Sequence, residues 1–224
     1  MFNDSDRDFI SNDMKIVVES IESKLNEPFF SEFKVIAVDA ISQYIREINK
    51  FEASGVKRGI YSSLDNEAEN LICEHFRKIT DGMEHNEVYQ VLDALRHSFS
   101  CYAYNGLHQL YTRQENECWH PKIWLTEVID PNDIDSLPDM VTIYRGCDIN
   151  ELSSQDFGQA WSTSLEVAKE FAYKHYANQD WFDENRRVVL ETICAKKYLL
   201  YSNQSMEFEV VVSVENLSSV HQHT

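Results

Sequence analysis

Three short groups of residues in the last third of the chain carry side chains that could do chemistry. They are Tyr144-Arg145-Gly146, Trp161-Ser162-Thr163-Ser164 and Glu207-Phe208-Glu209. A guanidinium can bind phosphate oxygens through two parallel hydrogen bonds, and a preorganised carboxylate can stabilise positive charge in a transition state. Taken alone, each group has an ordinary explanation: a surface arginine, a helix N-cap or a solvated strand face. Their order along one chain is the informative feature.

This order resembles that of the Arg–Ser–Glu (R-S-E) class of mono-ADP-ribosyltransferases, which includes bacterial toxins, phage enzymes and vertebrate ectoenzymes. The specific parts are the S-T-S motif at 162–164, followed by Ala168 and Phe171, and the E-x-E motif at 207–209 before an apolar run. The resemblance covers about the last third of the chain, and the interval from Arg145 to Ser162 is at the short end for the family. It implies an enzyme that cleaves NAD as a co-substrate, releases nicotinamide and transfers one ADP-ribose to a macromolecular acceptor.

The resemblance also implies roles for individual residues. Glu209 is expected to bind the ribose 2′-hydroxyl and stabilise an oxocarbenium-like transition state, and Ser162 to hold Glu209 by a hydrogen bond. Arg145 is expected to bind the pyrophosphate, and Gly146 to let the backbone approach the nicotinamide amide. The other expected NAD contacts are Thr163 of the S-T-S motif, Phe171 (or Tyr173) stacking near nicotinamide, and Tyr102 and Asn105 on an upstream helix that touches the adenosine half. For Phe171, packing in the core of an amphipathic helix is an equal alternative.

The acceptor is expected to depend on Glu207. In the family, a glutamate at this position goes with arginine as the target, because the carboxylate can help to deprotonate the incoming guanidinium. Glu207 could equally activate an exocyclic amine of a nucleobase, so modification of RNA or DNA and simple NAD hydrolysis remain alternatives. A third alternative is a non-catalytic module that keeps the fold as a binding surface.

The elements that must position these residues are helices first and strands later. Apolar residues at helical spacing predict helices over about 13–25, 31–51 and 86–109, with another beginning near Ser62 or Ser63. Residues 119–139 contain three prolines and predict an irregular connection. Strands are expected over 141–144, 188–194, 198–201 and 208–214, with a helix over about 165–176.

This order predicts an α+β fold with two parts. We expect a helical N-terminal extension over residues 1–84 and an ADP-ribosyltransferase catalytic domain over residues 85–224. The resemblance implies that the catalytic domain has a core split into two sheets.

The composition limits the cellular location and the binding partners that we expect. The chain has 224 residues and a net charge of −18, which argues mildly against nucleic acid as a partner and suits a partner with a basic surface. Neither a signal peptide nor a membrane span is evident, so we expect a cytoplasmic protein. By analogy, it would be a toxin, effector or phage-conflict enzyme that an antitoxin or chaperone could restrain.

The cysteines and histidines raise the question of a metal site. The five cysteines are scattered and no C-x-x-C occurs, which is typical of reduced thiols. Cys118-x-His120 and the pair His97 and Cys101 could ligate a metal, but each lacks a second convincing pair. We therefore predict no metal, and the family reaction needs none.

Overall fold

A computed structural model describes residues 2–55, 66–105, 119–205 and 207–224 of the chain. The chain divides into a helical unit, Met1–Trp124, and a sheet unit, Leu125–Thr224. The boundary that we predicted between residues 84 and 85 lies inside the helical unit, where the helix that begins at Asn86 packs against the helix before it. Within the described ranges, no helix is long and apolar enough to cross a lipid bilayer.

The helical unit is built from helices that bury one apolar stripe each. Its described α-helices are α1 (Asp4–Asp8), α2 (Val18–Leu25), α3 (Lys34–Ala53), α4 (Glu67–Thr80) and α5 (Asn86–Asn105). On α3 the buried side chains include Ile41, Tyr44 and Ile48, at the spacing of a helix face. The predicted helices over 31–51 and 86–109 are thereby confirmed as α3 and α5 over their described residues.

The starts of two other predicted helices differ from the structure. The helix expected from residue 13 begins at Val18 as α2, because Lys15 has a left-handed φ of 56°, Ile16 forms an isolated β-bridge and Val17 is extended. The helix expected to begin near residue 62 is described from Glu67 as α4, where Asn66 caps it by accepting a hydrogen bond from the Glu69 amide. Ser62 and Ser63 lie outside the described residues.

The sheet unit contains six described strands and two described α-helices. These are β1 (Met140–Asp148), α6 (Ile149–Ser154), β2 (Ala160–Ser162), α7 (Leu165–Tyr173), β3 (Arg187–Ala195), β4 (Leu199–Asn203), β5 (Glu209–Val212) and β6 (His221–Gln222). The strands form one antiparallel sheet in the order β4-β5-β2-β1-β3-β6. The strands β2 and β6 were not predicted because each has three residues or fewer, too short for an alternating pattern.

The predicted α+β class is confirmed, but the predicted division into two sheets is wrong for the described residues, which form a single sheet. Strand β1 links the two halves, since it pairs with β3 over its whole length and with β2 at Tyr144 and Ser162. The link is narrow, so the halves β4-β5-β2 and β1-β3-β6 meet at this one register pair.

The two faces of the sheet differ in what covers them. One face buries a core that includes Val141, Ile143, Trp161, Leu190 and Val210. Helix α7 packs on the other face, where Ala168 and Ala172 contact Val189. The S-T-S motif leads directly from β2 into α7, and Ser164 caps α7 by accepting a hydrogen bond from the Val167 amide. The sheet and α7 therefore position the motif residues together.

Candidate active site

A row of polar residues crosses the face of the sheet that α7 partly covers. One residue from each strand contributes to it, in the order Asn203, Glu209, Ser162, Tyr144, Glu191 and His221. Neighbours in this row are direct cross-strand partners, and such partners place their side chains on the same face of an antiparallel sheet. The sheet therefore brings two predicted site residues, Ser162 and Glu209, side by side within a continuous polar strip.

Ser162 holds the backbone around Glu209 and not its carboxylate. We predicted a hydrogen bond from Ser162 to Glu209, but the Ser162 hydroxyl donates to the carbonyl of Glu207 at 2.9 Å. The same oxygen accepts the Ser164 amide at 3.0 Å. In the described part of the chain, no side chain donates to the Glu209 carboxylate. Ser162 is therefore a positioning residue that ties the start of α7 to the E-x-E motif.

The two glutamates of the E-x-E motif do not belong to one continuous strand. Strand β5 begins at Glu209, and Phe208 has the left-handed φ of 51°. The strand predicted over 208–214 therefore begins one residue late, and the alternation of a strand does not place Glu207 on the face of Glu209. The two carboxylates are nonetheless close enough for Glu207 to raise the pKa of Glu209.

Gln204 is a site residue that the sequence did not single out. Its side-chain oxygen accepts a hydrogen bond from the Thr163 hydroxyl at 2.6 Å, and its side-chain nitrogen donates to the Glu209 carbonyl at 3.1 Å. Its backbone amide donates to Asp133 at 2.8 Å. Thr163, expected to contact NAD, thus uses its hydroxyl to hold the loop before β5. A lone glutamine in a polar loop carries no sequence signal for this role.

Arg145 lies on the opposite face of the sheet from Ser162 and Glu209. It occupies β1 between Tyr144 and Gly146, which face α7, and so shares the face of Ile143 and Cys147. Its guanidinium makes two hydrogen bonds of 2.8 Å to Glu151 and one of 2.7 Å to the Ala160 carbonyl. The structure does not bring Arg145 to the Glu209 carboxylate, and its contacts fix the segment between β1 and β2.

Gly146 is required by the packing of α7. A Cβ atom added there would lie 2.2 Å from the Ala168 carbonyl oxygen and 2.4 Å from the Ala172 backbone nitrogen. These are backbone atoms of a helix, which cannot move aside as a side chain can. We predicted that Gly146 lets the backbone approach nicotinamide, but the close approach that the structure shows is to α7.

Phe171 lies in the last turn of α7, and His175, two residues after the end of the helix, interacts with Glu207. The two rings are 4.8 Å apart between centroids and tilted by 36°, while Tyr173 is exposed. His175 lowers the pKa of Glu207, which opposes the larger effect of burial. Phe171, one of the predicted nicotinamide contacts, is half-buried and lies beside a histidine that interacts with Glu207.

The remaining predicted NAD contacts, Tyr102 and Asn105, belong to the helical unit. Tyr102 is buried on α5 with its ring edge-on to Phe9, at 5.6 Å between centroids. Asn105 is the last residue of α5, and its side chain lies outside the described part of the structure. The contacts of Tyr102 that the structure gives are those of a core residue.

Three of the residues that were weighed as metal ligands, and from which no metal site was predicted, lie near one another in the helical unit. The His97 ring nitrogen Nε2 is 3.3 Å from the Cys101 sulfur, and the His97 and His120 rings are 6.4 Å apart between centroids. Cys118 lies outside the described residues. Among the side chains that are described, no group of three or more has the arrangement needed to hold a metal ion.

Glu209 has the electrostatic environment of a functional carboxyl group. It is 6 % exposed, and burial, with a smaller contribution from Glu207, raises its pKa from 4.5 to about 8. Burial also raises the pKa of Glu207. Two neighbouring carboxyl groups with raised pKa values are costly for stability, and groups perturbed in this way cluster at functional sites.

The raised pKa of Glu209 predicts a specific pH dependence of stability. Between pH 4.5 and about 8 the folded chain keeps a proton on Glu209 that the unfolded chain has lost. The free energy of unfolding should therefore fall as pH rises through this window, by about 1.4 kcal/mol per pH unit at most for this group. Glu209→Gln removes this dependence. In urea unfolding, the free energy of unfolding of the variant should therefore increase relative to that of the wild type from pH 5 to pH 8. Parallel curves for the two proteins would show that Glu209 ionises normally.

Comparison with known proteins gives no independent assignment. No family model, no curated protein and no solved structure matches the chain. The functional interpretation therefore depends on the register, the hydrogen bonds and the electrostatics of the sheet unit.

Proposed function

We propose that the sheet unit is the catalytic part of a mono-ADP-ribosyltransferase that cleaves NAD and transfers ADP-ribose to an arginine of a protein acceptor. The observation that carries this proposal is the direct pairing of Ser162 with Glu209 in the sheet, with the buried Glu209 carboxyl group beside Glu207.

Glu209 is proposed to stabilise the charge that forms on the ribose. Breaking the bond between ribose and nicotinamide creates an oxocarbenium-like transition state. A carboxylate in a desolvated position interacts with such a cation far more strongly than one in water. The positive charge of the bound nicotinamide ring also favours the ionised form of Glu209, which is otherwise disfavoured by burial.

The chain's other residues position Glu209 and shape the site. Ser162, Thr163 and Gln204 hold the backbone on both sides of the carboxylate. Arg145 is proposed to act through Glu151, by fixing the segment that leads into β2. The pyrophosphate would then need a different partner from the arginine that the sequence suggested.

The proposal is tested with the purified chain, NAD labelled in its adenylate half, and a cell lysate. Nicotinamide release together with label that protease removes and nuclease leaves is the expected result. Label removed by nuclease would favour modification of RNA or DNA, and nicotinamide release without label would favour an NAD hydrolase. Neither release nor label would leave the non-catalytic binding module as the better interpretation.

Glu207→Gln is expected to separate transfer from cleavage. A carboxylate with a raised pKa is a stronger base, so Glu207 is suited to accept a proton from the attacking guanidinium. The variant should lose transfer to agmatine, a small guanidine acceptor, by roughly 10²–10⁴-fold. Release of nicotinamide to water should stay within a few-fold of the wild type. A variant that retained full transfer would remove Glu207 from the acceptor chemistry.

A further inference from the structure

Phe208 adopts a backbone conformation that aromatic residues rarely take. Its φ is 51°, in the left-handed region where a side chain with a Cβ is crowded by its own carbonyl. It stands between the two glutamates of the site, and its side chain is 42 % exposed. A strained backbone together with an exposed apolar ring is the pattern of a functional position.

The surrounding residues hold this strained backbone in place. Three consecutive carbonyl groups, those of Glu207, Phe208 and Glu209, each accept a hydrogen bond. Their donors are the Ser162 hydroxyl at 2.9 Å, the Thr163 amide at 2.9 Å and the Gln204 side-chain nitrogen at 3.1 Å. Three hydrogen bonds therefore hold the turn, while Phe208 remains exposed to a partner.

An exposed aromatic residue that directly follows a glutamate in the chain suits one class of acceptor group in particular. A planar guanidinium can lie on the face of an aromatic ring and donate to a carboxylate at the same time. A nucleobase could stack on the same ring, but nucleic acid is repelled by a chain with a net charge of −18. The combination of Phe208 and Glu207 therefore favours an arginine of a protein.

We infer that Phe208 determines the acceptor: its ring binds the guanidinium of a protein arginine, and Glu207 binds the same group and takes its proton. The inference rests on the proposed transferase function. In the step concerned, a guanidinium nitrogen forms the new bond to the ribose carbon as the bond to nicotinamide breaks. Nicotinamide leaves as a neutral molecule with the bonding electron pair, and the proton of the attacking nitrogen goes to the Glu207 carboxylate.

The experiment uses variants that separate the ring from the backbone strain. Phe208→Asn removes the ring and tolerates the left-handed conformation, Phe208→Gly removes both ring and strain, and Phe208→Trp keeps an aromatic face. Tyr89→Ala on α5 is the matched control, since Tyr89 is also 42 % exposed. For Phe208→Asn and Phe208→Gly, KM for agmatine should rise roughly 2–30-fold, which corresponds to the loss of one cation–π contact. Nicotinamide release without acceptor should change less than two-fold, and the Trp and Tyr89 variants should resemble the wild type.

Stability supplies a readout that a merely structural role would not produce. Phe208→Gly and Phe208→Asn should unfold at a higher urea concentration than the wild type, because they relieve the strain. Weaker acceptor binding in a more stable protein would exclude misfolding as the cause. An unchanged KM for agmatine, or an equal loss of nicotinamide release and transfer, would overturn the role of Phe208.

A binding measurement keeps this test independent of catalysis. Calorimetric titration with an arginine-containing peptide, in the absence of NAD, should show weaker binding to Phe208→Asn than to the wild type. Equal affinities would overturn the inference even if the chain transfers ADP-ribose. If the wild type releases no nicotinamide, the proposed function fails while this titration still decides the binding role. Loss of binding to an RNA oligonucleotide instead of the peptide would overturn the assignment to arginine.

Discussion

Glu209→Gln is expected to lower the turnover number for nicotinamide release by roughly 10²–10³-fold, the usual cost of removing one preorganised electrostatic group. The substitution keeps the shape of the side chain but removes the charge that would stabilise the ribose cation. Because the carboxyl group has a pKa of about 8 in the free protein, wild-type kcat/KM for NAD should also rise with pH up to about that value. Release of nicotinamide measured across pH 6–9 checks both expectations.

Two controls accompany this experiment: the stability of Glu209→Gln and the activity of a second glutamate variant. Glu209→Gln should be at least as stable as the wild type near pH 8, so lost activity would not reflect unfolding. Glu215→Gln is the matched variant, since Glu215 is an exposed carboxylate just after β5 and bonds to Ser213. It should keep full activity. Near-normal nicotinamide release by Glu209→Gln would contradict the proposed chemistry at its central point.

Arg145→Ala is expected to reduce the free energy of unfolding by roughly 3 kcal/mol, because it leaves a largely buried carboxylate without its partner. Arg145 is 8 % exposed, and its pair with Glu151 is bidentate. Glu151 also accepts the Gly158 amide at 3.0 Å, so the pair organises the residues between α6 and β2. Urea unfolding of the variant measures the loss.

A paired replacement distinguishes a structural role of Arg145 from a role in binding NAD. The double variant Arg145→Met with Glu151→Leu removes both charges and should recover much of the stability, because an apolar pair can replace a buried ion pair. If the double variant also retains KM for NAD, the guanidinium does not bind the pyrophosphate. Normal stability of Arg145→Ala with a raised KM for NAD would instead favour the role that the sequence suggested.

Much of the secondary structure follows from local sequence patterns. The spacing of Ile41, Tyr44 and Ile48 predicted α3, and the β-branched run over 188–194 predicted β3. The short strand β2 was not predicted, because its three residues are extended through their pairing with β1 and β5. The spacing of apolar residues predicts which face of a helix or strand is buried. It does not predict which distant strands pair with one another.

The candidate site was likewise predictable in its residue types but not in its geometry. The types and order of Ser162, Glu207 and Glu209 were evident in the sequence, and so was their association with a helix and a strand. Their arrangement was not: Ser162 bonds to the Glu207 carbonyl, and Phe208 interrupts the alternation that would have aligned the two glutamates. A backbone turn of this kind is stabilised by hydrogen bonds from residues 45 positions away, here Ser162 and Thr163.

The tertiary structure thus separates Arg145 from the other residues of the three sequence motifs. The sequence by itself determined the order of the longer helices and strands, the acidic character and the residue types of the candidate site. The strand register alone decided that Ser162 and Glu209 are neighbours and that Arg145 points to the opposite face. The physical reason is the two-residue period of a strand: adjacent positions lie on opposite faces, so a side chain's neighbours depend on pairings that form when the chain folds.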